Sequence, residues 1–265
     1  MKVYISVDIE GVAGITHWDE AEKGHADWAE FREIMTREAI AAIDGARAAG
    51  ATEIWVKDAH DSGRNLITTM LPADVTLIRD WSGHPYSMIQ ELDGSFAGLA
   101  LIGHHAGVGS EGNSLAHTLN TRTHMITLNG TPVSEFRLCA LAAASLGVPT
   151  VFVSGDKALM TEIEATNSHI GRLAVKEGRG QSTISMTPLA AQNAIRAGVE
   201  KSLRGKLKDC LLPVPEKFTL DVTYVSPALA YEKSFYPGCQ YIGNRTNRVE
   251  TKTIFDVARA LRFIK

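Results

Sequence analysis

The sequence is short of several things, and each shortage narrows the field. Only three cysteines occur, Cys139, Cys210 and Cys239, and no two are closely spaced. That excludes a disulfide framework, argues against a thiolate metal site and suits a reducing compartment. Positive charge is not in excess: the net charge is -3 and the pI is near 6.3. The chain therefore has no electrostatic footprint for nucleic acid, and no lysine-rich amphipathic segment suited to a membrane surface. No stretch approaches the roughly 18 apolar residues of a spanning helix. The apolar run before Asp8 is too short for a signal peptide. Internal repeats and low-complexity tracts are absent as well. The expectation is a cytoplasmic globular protein whose partners include neither nucleic acid nor membrane.

What is present is ordinary in bulk and specific in detail. With 265 residues, 45% of them hydrophobic and 22% charged, the chain can bury one large α/β domain or a core with a smaller companion. Short apolar runs alternate with helical patterns, which predicts a mostly parallel sheet flanked by helices, a Rossmann-like three-layer core. Strands are expected at Val3 to Val7, Glu53 to Val56, Val75 to Ile78, Ala97 to Ile102 and Thr150 to Ser154. The helical period of Phe31, Ile34, Met35, Ala39 and Ile43 predicts a helix from Trp28 to Ala49, stopped by Gly50. Ser87 to Leu92 reads as a short helix. Met125 to Leu128, the turn Asn129-Gly130 and Thr131 to Val133 form a hairpin, after which Ser134 caps a helix to about Leu146. The remainder gives a helix near Leu189 to Leu203, strands near Phe218 to Val225 and Val249 to Thr253, and a closing helix. Gly205 to Lys217 reads as a linker.

Several strands end in something chemically active. The first runs into Asp8 and Glu10, the second into Asp58-Ala59-His60, and Ala97 to Ile102 into Gly103-His104-His105. The helix after the hairpin opens with Glu135. Carboxyl ends of strands form the ligand crevice in open α/β sheets, so four segments can converge on one edge. Asp8 and Glu10, at i and i+2 of an extended chain, point to the same side. Two carboxylates so placed repel unless a cation or hydrogen bonds hold them. Asp58 reads instead as a turn residue accepting backbone amides. His60 alone reads as a loop histidine, and Glu135 as a first-turn glutamate favoured by the helix dipole. If the strand continues, His104 and His105 face opposite ways and at most one enters the site. Three carboxylates and two histidines are too few for two closed metal sites and too many for one tetrahedral site. A shared aspartate between two metals resolves that count. His117, beyond a glycine-rich loop, is placed for proton transfer beside a metal-bound water. Gly107 to Gly112 spells GxGxxG, yet Asn113 to Thr123 has no helical period, which argues against a dinucleotide fingerprint.

The blocks YISVDIEGVAG, VKDAHDSGRNL, GHHAGV, LAHT and NGTPVSEFRL, in this order, resemble the DppA-type D-aminopeptidase family of binuclear zinc peptidases. The resemblance runs from residue 1 to about residue 156, where Ser154-Gly155-Asp156 also fits, and more weakly through Val175-Lys176-Glu177-Gly178. It implies two zinc ions sharing Asp8, with Glu10, His60, His105 and Glu135 completing the ligands and His117 as the catalytic histidine. His105, not His104, is chosen because it directly precedes the alanine of its block. The implied reaction is hydrolysis of the N-terminal residue, such as D-alanine, from short peptides by attack of a metal-bound water. The resemblance also implies a cytoplasmic homo-oligomer, a decamer. Residues 1–156 are then the metal-binding catalytic region, and residues 157–265 a smaller α+β region that completes the pocket and the oligomer. Rival readings are a two-metal phosphoesterase or other amidohydrolase, a nucleotide-binding oxidoreductase, and a non-enzymatic small-molecule binder.

Overall fold

Alternation along the first strand sets the layering. In a computed structural model of residues 1–265, β1 (Lys2–Val7) buries Val3, Ile5 and Val7 in one apolar cluster and Tyr4 in another. After it come α1 (Trp28–Ala48), β2 (Glu53–Asp58), β3 (Val75–Ile78), β4 (Gly98–His104), β5 (Thr123–Leu128), β6 (Thr131–Pro132) and α2 (Glu135–Ser145). The middle of the chain adds β7 (Thr150–Asp156), α3 (Lys157–Thr166), β8 (Gly171–Arg179), β9 (Ser182–Ser185) and α4 (Pro188–Leu203). It closes with β10 (Phe218–Tyr224), α5 (Pro227–Lys233), β11 (Cys239–Gly243), β12 (Thr246–Thr251) and α6 (Ile254–Ile264).

Seven strands form one sheet in the order β3-β2-β1-β4-β7-β8-β9, parallel throughout except for the last pair. Ile34, Met35 and Ile43 of α1 and Ile195 and Val199 of α4 cover one face together with Val3, Ile5 and Val7. On the other face Tyr4, Leu99, Leu101 and Val153 meet Phe136 of α2 and a five-stranded antiparallel sheet ordered β11-β12-β10-β5-β6. Strands from both sides of residue 156 enter each sheet: β8 and β9 join the first, β5 and β6 the second.

This topology positions the site. The chain leaves β1 for β2 on one side and later lays β4 on the other, with Val7 beside both Asp58 and Ile102. The carboxyl ends of β1 and β4 therefore flank a switch point, where open α/β sheets bind ligands. The β5–β6 hairpin turns through Asn129 and Gly130, both at positive φ, and feeds α2 toward the same edge.

The expected mixed α/β fold is present, with local differences. Ser87 to Leu92 forms only a 3-10 turn over Ser87–Ile89, because Ser87 and Glu91 adopt left-handed φ of 46° and 68° that no helix continues through. The expected linker is packed: it contains a turn at Leu207–Cys210 and buries Cys210 and Leu212 in the core. No helix opens from the GxGxxG glycines. A side chain at Gly107 or Gly112 would instead run into Ser134 or Ala158, so these glycines serve close loop packing.

Gly11 is the tightest of the glycines beside the site. Its N–H donates to the Gly103 carbonyl at 2.8 Å, and a Cβ there would lie 1.8 Å from the His104 carbonyl oxygen. Gly11→Ala is expected to lower stability by about 1–3 kcal/mol, the usual cost of overpacking. A denaturant midpoint unchanged from that of the parent would contradict this.

Candidate metal centre

All six expected residues meet at the edge of the sheet. Asp8 and Glu10 leave the end of β1, His60 follows β2, His105 follows β4, and Glu135 opens α2. His117 sits on the loop between β4 and β5. Asp8, Glu10, His60 and Glu135 are each at most 6% exposed, and His105 is buried behind them.

The carboxylates and imidazoles fall into two halves around Asp8. Its Oδ1 lies 3.4 Å from His60 Nδ1, which is also 3.1 Å from Glu10 Oε2. Its Oδ2 lies 3.6 Å from His105 Nε2, which is also 3.5 Å from Glu135 Oε2. Each half thus has two carboxylate oxygens and one imidazole nitrogen, with one aspartate oxygen in each. His117 Nε2 sits between the halves, 3.7 Å from Glu135 Oε1 and 4.0 Å from Glu10 Oε1.

Each of the three histidines has its outward nitrogen against a backbone carbonyl at 2.9 Å: His60 Nε2 on Ala21, His105 Nδ1 on Ala106, His117 Nδ1 on Leu115. A nitrogen facing a carbonyl must carry the proton, so the inward nitrogen is free to take a proton or a metal. Glu10 Oε2 and His105 Nε2 are buried without a hydrogen-bond partner. Spacings of 3.1–3.6 Å also suit two ligands of one zinc. Bonds of about 2.0–2.1 Å in tetrahedral geometry put ligand atoms roughly 3.3 Å apart. The donor set fits a metal.

Electrostatics follow from packing these groups together out of water. Burial and the Glu10 carboxylate push the Asp8 pKa well above the usual carboxylate range. Burial acts on Glu10 too, but His60, then His117 and His105, pull its pKa well below normal. Burial would depress His105, yet Glu135, Glu10 and Asp8 hold it up at about 10. His60 is raised in the same way against its own burial, chiefly by Glu10 and Asp8. His117 is lowered by burial and by His105, whose ring stacks on it at 4.3 Å. The Trp18 ring meets His117 edge-on at 5.3 Å.

Two expectations are sharpened here and one is corrected. Asp58 is indeed a turn residue: its carboxylate accepts from the amides of Asn65 and Leu66 and from the Asn65 side chain. Glu135 does more than favour a helix dipole, since Oε1 accepts from the Leu119 amide at 2.7 Å and Oε2 faces His105. The expectation that only one of His104 and His105 reaches the site fails. A ring nitrogen of His104 also lies within 4.8 Å of ligand atoms of Asp8 and Glu135. Gly103 takes a φ of 68° and the β4–β7 register shifts before His104, so strand alternation is broken there. The His104 ring is fully buried, has no hydrogen-bond partner on either nitrogen, and is driven by burial down to about 4.

The likeness to known proteins agrees with this geometry. The profile of the D-aminopeptidase family matches residues 1–263. The chain belongs to the D-aminopeptidase family. It is 29% identical over 265 residues to the D-aminopeptidase of Bacillus subtilis (strain 168), covering 98% of this chain and 95% of the relative. It also resembles a solved structure described as the Zn-dependent D-aminopeptidase DppA from Bacillus subtilis, a self-compartmentalizing protease. That match has a TM-score of 0.92 at 27% identity, covering 98% of this chain and 95% of the other.

For this family member, the supporting residues were harder to read than the site itself. Asn113 Nδ2 donates to the Glu10 carbonyl at 3.2 Å and to Asp156 Oδ2 at 2.9 Å, and that oxygen also accepts from the Ala106 amide. Lys176 closes the network on Ile15 O and Asn113 Oδ1. The block at residues 154–156 and the weaker one at 175–178 hinted at Asp156 and Lys176, but nothing in the sequence marked Asn113. Around the cluster lies a cleft of about 580 Å³, lined also by Trp18, Lys23, Asp61, Arg262 and Lys265.

The pH dependence of the metal-free protein follows from these shifts. A histidine whose folded pKa is raised adds stability below its unfolded value of about 6.5, and that stability is lost as pH rises through the folded value. With His105 held at about 10, the metal-free protein is expected to lose stability between about pH 6.5 and 10. Denaturant midpoints measured across that window check this; a flat profile contradicts it.

Proposed function

We propose that this protein is a zinc-dependent aminopeptidase that removes an N-terminal D-residue, such as D-alanine, from short peptides. The observation that carries the reading is the division of Asp8 between two equivalent halves. One zinc would be held by Asp8, Glu10 and His60, the other by Asp8, His105 and Glu135, with Asp8 as the bridge. Three protein ligands per ion leave a position open, as hydrolytic zinc sites require. The zinc dependence of the Bacillus subtilis relative supports the metal, and the family supports the bond that is cleaved.

Bound zinc supplies Lewis-acid polarisation of the scissile carbonyl and brings the pKa of water near 7. The chain's own groups do the rest. Carboxylates at the cleft, with Asp61 on its wall, meet the substrate's α-ammonium and confine cleavage to the N-terminus. His117, its Nδ1 proton held by the Leu115 carbonyl and its ring by His105 and Trp18, has a free Nε2 that would take a proton from the attacking water and, so protonated, stabilise the oxyanion or pass that proton to the leaving amine. Residues 1–156 contribute the five ligands and His117, while residues 157–265 complete the pocket through α6.

The family relative described as self-compartmentalizing supports a homo-oligomer for this chain, and the resemblance extends this to a decamer. Tyr231 on α5, Phe235 in the turn after it, and Tyr241 and Ile242 on the edge strand β11 are exposed apolar side chains suited to subunit contacts. Three free cysteines support a cytoplasmic location. No helix is long and apolar enough to cross a membrane.

Chelation and dialysis are expected to abolish hydrolysis of D-alanyl dipeptides, and zinc to restore it; the L-alanyl counterparts should be cleaved more slowly. Full turnover by the chelated protein would refute the metal mechanism. His117→Ala is expected to lower kcat about 10²–10⁴-fold with zinc content retained, the usual weight of a general acid–base group. Unchanged kcat in the zinc-loaded variant would remove His117 from the chemistry.

A further inference from the structure

The C-terminal end of α6 brings two cations, Arg262 and the capping Lys265, to the cleft with no ion pair of their own. Arg262 and Lys265 line the metal cleft, and both also line a narrow apolar recess that opens beside Glu135. Elsewhere on this helix the charges are matched: Arg259 pairs with Asp256 at 2.7 Å. Neither Arg262 nor Lys265 has an Asp or Glu carboxylate oxygen within 4.0 Å. Lys265 is half-buried, so its ammonium is partly stripped of water, with no carboxylate in contact and only the more distant Glu135 to offset the loss. Burial and the neighbouring Arg262 and Arg122 press its pKa down, and Glu135 pulls it back. A pair of unmatched cations beside a hydrolytic centre calls for an anionic ligand.

The recess beside them narrows the choice. Leu138 and Ala142 of α2 and Ile254, Ala258 and Leu261 of α6 make its walls apolar, and its volume is about 40 Å³. It admits a small apolar side chain, with the two cations at its mouth. A peptide with its scissile bond by Glu135 would place its next residue there, since one residue advances the chain by only about 3.3–3.6 Å. If the chain ends at that residue, its carboxylate falls to the cations.

We propose that Arg262 and Lys265 form a carboxylate-binding subsite that selects dipeptides whose second residue is small, apolar and free at its α-carboxylate. The proposal rests on the aminopeptidase reading and adds the far end of the substrate to it. Arg262 offers a planar fork and Lys265 a point charge, a combination that binds a carboxylate from two directions.

The test compares D-alanyl-D-alanine with its C-terminal amide on the zinc-loaded enzyme. The free acid is expected to have the higher kcat/KM by at least about tenfold, carried mainly by KM, as befits a charge-assisted pair. In the double variant Arg262→Gln, Lys265→Gln the ratio should fall to about one, whereas Lys265→Arg should retain most of it. Cleavage of both peptides at equal kcat/KM by the parent enzyme would overturn the subsite while leaving the aminopeptidase reading intact. A double variant that slows both peptides equally would also overturn it. Cleavage of neither peptide would overturn the reading itself, and the subsite with it.

Discussion

Three carboxylates held out of water within a few ångströms of each other are the constraint on which this structure turns. Asp8, Glu10 and Glu135 cannot all ionise there unless positive charge is interleaved with them. The fold meets that demand with imidazoles whose outer N–H groups are fixed on backbone carbonyls, leaving the inner nitrogens aimed at the acids. Such a centre is stable only when each inner nitrogen and its facing oxygens share a proton or a cation. The same electrostatics explain why the cluster is buried and rigid rather than spread along a wet loop: a low-dielectric site strengthens each attraction and makes each unmatched charge costly.

Rigidity comes from the switch point and from a belt of polar contacts behind it. Glu10 is held by its carbonyl on Asn113, the turn after His105 by the Ala106 amide on Asp156, and the surrounding loops by Lys176. Lys57, fully buried, ties the end of β2 to the neighbouring loop through the Asp58 and Asp80 carbonyls and lies under the Trp81 ring at 3.9 Å. None of these groups faces the cleft as a ligand. They fix where the ligands stand, a task that first contacts alone cannot perform.

Much of the site was legible in the amino-acid sequence because its parts sit at strand ends. Asp8 and Glu10 share a side by simple alternation, and His60, His105 and Glu135 each follow an element whose apolar pattern is unmistakable. The core strands were legible for the same reason. His104 was not, because its place depends on a left-handed Gly103 and a bulge, which alternation does not foresee. The elements α3 and β8 were missed where charged residues interrupt the apolar pattern, as in Gly171–Arg179, and β9, α5 and β11 because runs of four, seven and five residues are too short to show a period. Arg262 and Lys265 were invisible too. Only the packing of α6 against β10, β12 and α2 carries the end of that helix to a centre built by residues more than a hundred positions earlier.

The central claim is that Asp8 bridges two metal ions. The most direct measurement is zinc content per chain by elemental mass spectrometry after extensive dialysis, for the parent protein and for Asp8→Asn. The account predicts two zinc ions per chain in the parent and at most one in the variant, with the fold retained by circular dichroism. A parent that retains a single zinc, or an Asp8→Asn protein that keeps both, would contradict it.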